Sequence, residues 1–161
     1  MYLGQKEYEL ATKELHKVLG MNPKNKTALV KLGHVYLQQK RIPEAINQFK
    51  KAVELDPDSA GPHEGLGFCY FEQTQIEEAL KEFNRALKLN LNNDNIHFGL
   101  GSCYHQKKDF EKAIGELNQV LKINPQHSQA KYLLGLCYTQ SGHSYFKEKC
   151  YVEAINQFKK A

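Results

Sequence analysis

The chain has 161 residues, 41% of them hydrophobic and 25% charged, a balance that suits one folded domain or a short repeat array and not a disordered chain. Its net charge of +4 comes from 22 Lys and Arg against 18 Asp and Glu spread along the sequence, without the basic block expected of a nucleic-acid binder. No apolar run reaches the roughly 18–20 residues of a membrane span, no signal-peptide core is visible, and four cysteines without paired spacing favour a reducing, cytoplasmic setting.

In chain order the sequence reads as one unit written several times. Residues 1–25 carry Tyr2, Ala11, Leu15, Val18 and Pro23, the tail of a unit whose first part is missing. With Lys26 taken as position 1, the first full unit, 26–59, places Leu29, Leu32, Gly33 and Tyr36 at positions 4, 7, 8 and 11. It continues with Ala45, Phe49, Ala52 and Pro57 at positions 20, 24, 27 and 32. The unit 60–93 repeats these slots as His63, Leu66, Gly67, Tyr70, Ala79, Phe83, Ala86 and Leu91. The unit 94–127 gives His97, Leu100, Gly101, Tyr104, Ala113, Leu117, Val120 and Pro125. The last, 128–161, begins with Lys131, Leu134, Gly135 and Tyr138 and resumes with Ala154, Phe158 and Ala161. The period is 34 residues. The nonapeptide EAINQFKKA, present at 44–52 and again at 153–161, recurs after three periods with seven residues left over, so the last unit holds a seven-residue insertion near 142–148.

Positions 4, 7, 8 and 11 form one stripe of a first helix, and positions 17, 20, 24 and 27 one stripe of a second. The small residues at 8 and 20 let the two antiparallel helices approach closely, and proline at 32 ends the second helix. Each hairpin leaves one apolar face uncovered and must stack on a neighbour, which makes the product an all-α solenoid of helix hairpins.

These eight positions at fixed phase resemble the tetratricopeptide repeat (TPR) family over essentially the whole chain. The usual Trp at position 4 is absent, and the seven added residues are a second departure. The resemblance implies a single array wound as a right-handed superhelix, with no catalytic activity and no cofactor or metal, that binds peptide segments of partner proteins on its concave surface. The residues that would line that surface occupy positions 2, 5, 9, 12 and 13 of each first helix. They are Val30, His34, Leu37 and Gln38, then Glu64, Phe68, Phe71 and Glu72. Asn95, Phe98, Ser102, His105 and Gln106 follow, then Gln129, Tyr132, Leu136, Thr139 and Gln140. Aromatic rings among amides, two acids and two histidines make an amphipathic groove for a neutral to basic partner with apolar anchors. The alternative is that positions 5, 9 and 12 pack against adjacent first helices.

Family members that hold the acidic tails of heat-shock chaperones use a clamp with Lys at 5 and Asn at 9, Asn at 6 of the next repeat, and Lys or Arg at 2 and 6 of the third. Here those slots hold Val30, His34, Gly65, Asn95 and Gly99, and starting one repeat later gives Glu64 and Phe68. The clamp is not expected.

Cys69, Cys103 and Cys137 all fall at position 10 and read as buried structural thiols, because equivalent helices about 8–10 Å apart are too distant for a disulfide. Cys150 lies outside that series. His63 and His97, at position 4, read as packing residues in an aromatic slot. No Ser/His/Asp set, HExxH, phosphate loop or CxxC appears.

Phe146, Cys150, Ala154 and Phe158 at four-residue steps predict that the insertion extends the second helix, opened by Ser144; a longer loop around Gly142 is the competing reading. Met1 falls at position 10 and Ala161 at position 27, so the chain reads as a fragment of a longer array, with exposed ends expected to pair with other copies. Two further functions stay open: a self-assembling scaffold, and a substrate-binding repeat region of a larger enzyme.

Overall fold

The computed structural model describes residues 2–90, 93–147 and 159–160, and within these the side chains of 6–90, 93–142 and 159–160. The helices in chain order are α1 Tyr2–Met21, α2 Lys26–Gln38, α3 Ile42–Leu55, α4 Ala60–Glu72, α5 Ile76–Leu89, α6 Asp94–Gln106, α7 Phe110–Ile123 and α8 Ser128–Lys147. No strand occurs among the described residues. An all-α helical repeat solenoid is thus what the 34-residue pattern builds, with α2, α4, α6 and α8 as first helices and α1, α3, α5 and α7 as second helices.

Local chemistry fixes the helix ends. The Asn25, Asn93 and His127 side chains accept from the N–H of Ala28, Ile96 and Ala130 at 3.0, 3.2 and 3.1 Å, each satisfying an amide that the first turn leaves open. Three first helices end in the same two-bond turn. Lys40 N–H donates to the Leu37 carbonyl and Arg41 N–H to that of Tyr36, and Thr74/Gln75 and Lys108/Asp109 repeat the pair. This turn requires a left-handed residue at its centre. The three central residues are Lys40, Thr74 and Lys108, all at repeat position 15, with φ of 59°, 62° and 61°. None is glycine, so each turn carries a steric cost.

The helices group into two compact units, Met1–Leu89 and Asn90–Ala161. In the first, Leu32, Tyr36, Ala45, Phe49, Leu66 and Cys69 form the core, padded by Leu15, Leu19, Ile42 and Val53. Phe49 is fully buried between two glycines. A β-carbon added to Gly33 would lie 2.7 Å from its ring, and one added to Gly65 would lie 2.4 Å from it. The position-8 glycine acts as the sequence predicts, and Gly67 does the same against Phe83 at 2.6 Å. Gly65, at position 6, is the finding the repeat pattern did not contain. In the second unit Ala113, Leu117, Val120, Ala130 and Cys137 form the core, and a β-carbon on Gly101 would lie 3.0 Å from Leu117.

His63 and His97 are buried, as expected at position 4, but they are more than packing. His63 Nε2 donates to the Pro57 carbonyl at 3.1 Å, and its Nδ1 lies 2.6 Å from Glu82 Oε2. His97 Nδ1 meets Glu116 Oε2 at 2.7 Å. Both partners sit 19 residues on, at repeat position 23. Burying an imidazole without partners is costly, and these bonds remove that cost.

The insertion departs from the prediction. α8 has 20 residues where α2, α4 and α6 have 13, so the described part of the added segment, through Lys147, lengthens the first helix of the last hairpin. Ser144 lies inside α8 and opens no second helix, and Gly142 is helical rather than part of a loop. Cys150 and the second copy of the nonapeptide, apart from Lys159 and Lys160, lie outside the described residues. At the other end, Tyr2 and the residues after it run straight into the second-helix segment, making α1 a single helix of 20 residues.

Candidate functional site

α2 packs beside α4 in the first unit and α6 beside α8 in the second, so each unit sets two first-helix stripes next to each other. None of the predicted stripe residues is fully buried. On α2 and α4, His34, Gln38 and Glu72 are exposed, whereas Val30, Leu37, Glu64, Phe68 and Phe71 are half-buried. On α6 and α8, Asn95, Gln106, Gln129, Tyr132 and Gln140 are exposed, and Phe98, Ser102, His105, Leu136 and Thr139 are half-buried.

Several of these side chains also support the hairpins. The His34 ring meets Phe49 edge-on at 5.0 Å, and Phe68 meets Phe83 the same way at 4.9 Å. Position 9 therefore does not face wholly away from the second helix, as its spacing had implied; it shares its ring with that helix and its edge with solvent. Partial burial against Phe49 holds the His34 pKa below the ordinary 6.5. Val30 and Leu37 pad the edge of the first core. Glu72 is paired with Lys40 at 2.8 Å, so one of the two acids that argued for a basic partner has its charge compensated.

In the second unit the Phe98 ring lies 4.9 Å from that of His127, and His105 lies 6.0 Å from Phe110. Ser102 Oγ donates to the Phe98 carbonyl at 2.8 Å and Thr139 Oγ1 to that of Gly135 at 3.0 Å, so both hydroxyls turn back on their own helix. Tyr132 stands out at 70% exposure.

Two cavities touch the stripes, the first at Val30 alone of the predicted residues and the second at Phe98, Gln129 and Tyr132. One of about 410 Å³ is lined by Lys26, Thr27, Val30, Lys31, Gly61 and Pro62, with the Lys26–Asp56 ion pair at its edge. The other, about 450 Å³, is lined by Phe98, Ser128, Gln129, Tyr132 and Leu133. A third, about 510 Å³, lies away from the stripes along Lys81, Asn84, Arg85, Lys88 and Leu89 of α5.

The position-10 cysteines are fully buried, as predicted. Burial, helped by the nearby Glu72 charge, pushes the Cys69 thiol up to about 12, and burial alone raises Cys137 to about 11, which keeps both unreactive. Among the described residues no group of three His, Cys, Asp or Glu is placed to hold a metal ion, and no helix is long and apolar enough to cross a membrane.

The His–Glu pairs were missed because each partner lies on the other helix of the hairpin. A signal was present: the repeats with His at position 4 carry Glu at 23, whereas those with Leu29 and Lys131 at 4 carry Gln48 and Gln157.

Two family models match the chain, one described as TPR repeat over residues 33–74 and one as tetratricopeptide repeat over residues 70–137. No curated protein matches it. Among solved structures, that of MamA is 28% identical with a TM-score of 0.74, over 99% of this chain and 92% of that one. YrrB, described as a TPR protein with an unusual peptide-binding site, shares the fold at 23% identity and a TM-score of 0.70, over 98% of this chain and 77% of its own. The first TPR of Spaghetti (RPAP3), bound to the HSP90 peptide SRMEEVD, shares it at 22% and 0.66, over 70% of this chain and 89% of its own. The 34-residue framework, the hairpins that realise it and these matches together show that the chain belongs to the tetratricopeptide repeat family.

Proposed function

We propose that the chain is a non-catalytic scaffold that holds a peptide or helical segment of a partner protein along its first-helix stripes. The carrying observation is the contrast within single helices. Leu32, Leu66 and Leu100 at position 7 are buried, while every stripe residue stays at least partly open. An apolar surface kept open beside a filled core is what a protein-binding face requires. The cavity at Phe98, Gln129 and Tyr132 adds a concave, largely apolar site on the stripe itself. The reading also draws on the peptide-binding descriptions of YrrB and the RPAP3 domain.

The test is site-specific photocrosslinking in cell extract, with a benzophenone amino acid at Phe71 or Tyr132 and, as control, at Gly115. Gly115 is exposed on a second helix, and an added β-carbon there meets nothing within 4 Å. Partner peptides are expected from the stripe positions; equal yields from Gly115 would refute the reading. A second reading, self-assembly through α1, is favoured by the 62% and 82% exposure of Leu10 and Met21. Light scattering over a concentration series tests it, and a strict monomer at high concentration refutes it.

A further inference from the structure

We propose that the cavity between α6 and α8 is a recognition slot for an aromatic side chain in an uncharged, extended peptide segment. This rests on the reading that the first-helix stripes bind peptides, and adds which stripe does so and what it selects.

The slot is built before any ligand arrives. His127 Nδ1 accepts from Ala130 N–H and caps α8, which fixes the ring, and the fixed ring lies 4.9 Å from Phe98 at an interplanar angle of 31°. Phe98 in turn packs on the core of the second unit together with Leu133. The cavity therefore holds a positioned aromatic ring in an apolar lining. Tyr132 also lines the cavity, with a ring that is largely free, at 70% exposure. Gln129 stands exposed at the rim, where its carboxamide can both donate to and accept from a passing peptide backbone.

Charge decides the occupant. No Asp, Glu, Lys or Arg lines the cavity, and none occurs at the stripe positions of α6 and α8. A carboxylate docking here finds no counter-charge in the lining. A guanidinium gains a ring face but finds no acid to balance it. A Phe or Tyr side chain loses little on desolvation and gains offset or edge-on contact with two rings. An uncharged site also has no electrostatic attraction for salt to screen.

The probes are short, capped peptides of Gln, Ser and Ala carrying one central Phe, Tyr, Arg or Glu, titrated into the isotope-labelled full chain. Amide shifts of Phe98, Gln129 and Tyr132 are followed by NMR. The Phe and Tyr peptides are expected to move these signals, with a Kd that changes less than about twofold between low and high salt. Tyr132→Ala is expected to weaken them about tenfold, and Tyr132→Phe to retain binding. If the Phe peptide leaves the three signals still, the proposal is overturned. If peptides shift only the α2 and α4 signals, the slot assignment falls while peptide binding stands. Tightest binding by the Arg or Glu peptide would likewise overturn it.

Discussion

Replacing Gly65 with alanine probes the packing that sets α4 against α3. The new β-carbon would lie 2.4 Å from Phe49 Cζ and 2.5 and 2.7 Å from Cε1 and Cε2, against the 3.4 Å or more of ordinary contact. About 1 Å must be found. The ring cannot supply it by moving away, because Gly33 already holds its other side so closely that a β-carbon there would sit 2.7–2.9 Å off. Either α4 shifts or Phe49 leaves its rotamer, and overpacking of this kind costs about 1–3 kcal/mol. With three ring atoms struck, the upper end applies. Alanine returns about 1 kcal/mol through its better helix propensity, leaving a net loss of roughly 2 kcal/mol, or about 4–8 °C in Tm for a chain of this size. Gly115→Ala is the control. It makes the same exchange in a helix where nothing is struck, and should raise stability by about 1 kcal/mol. Urea unfolding followed by circular dichroism measures both. A Phe49→Leu change on the Gly65→Ala background should recover part of the loss, seen as coupling in a double-mutant cycle. If Gly65→Ala and Gly115→Ala behaved alike, the sandwich would be wrong.

The remaining expectations concern the turn, the buried pair and the exposed histidine. Thr74→Gly relieves a β-branched residue at φ 62° and should stabilise the chain by about 1 kcal/mol in the same urea assay, whereas Thr74→Ala should gain far less. Glu82→Gln should cost under about 1 kcal/mol, since its amide can donate to His63 Nδ1 while Nε2 keeps the Pro57 carbonyl; Glu82→Leu, which orphans that nitrogen, should cost about 1–3 kcal/mol. An equal effect of the two would show that the hydrogen bond is irrelevant. His34 should titrate below 6.5 by NMR. The unfolded chain then binds the proton more readily than the folded one. The destabilising contribution is accordingly absent above 6.5, grows as pH falls below it and levels off below the folded value. The slope should vanish in His34→Gln.

Much of the architecture was legible because position 8 and positions 20, 24 and 27 recur in phase, and a recurring small or aromatic residue has one geometric use in a packed hairpin. Gly33, Gly67 and Gly101 could be assigned to close helix approach on that basis alone. Gly65 could not, since its partner belongs to the preceding hairpin and its slot, glycine again at Gly99, holds Lys31 and Leu133 in the other two units. Spacing alone assigns the insertion to the wrong helix for a physical reason. Seven residues make nearly two helical turns, so Phe146 and Phe158 keep helical spacing whichever helix takes the added length. The candidate site was legible as a stripe, from three- and four-residue steps. What spacing does not contain is sharing: His34 and Phe68 reach both solvent and the second helix, and Lys40 reaches across to Glu72.

The length of α8 bears on how such a chain can change. Seven extra residues advance a helix by about 10 Å while turning it only some 20° short of two full rotations. A deletion or insertion of that size is silent to rotational phase, so the residues before it keep their neighbours and those after it re-enter on the same side. Five residues would swing everything downstream by about 140° and tear the stripe from its helix. Gly142 stands at the repeat position where Lys40, Thr74 and Lys108 turn the chain, and there α8 continues instead of reversing. The tip of a hairpin is thus a place where a repeat protein can gain reach in quanta of two turns without renegotiating any contact beneath it.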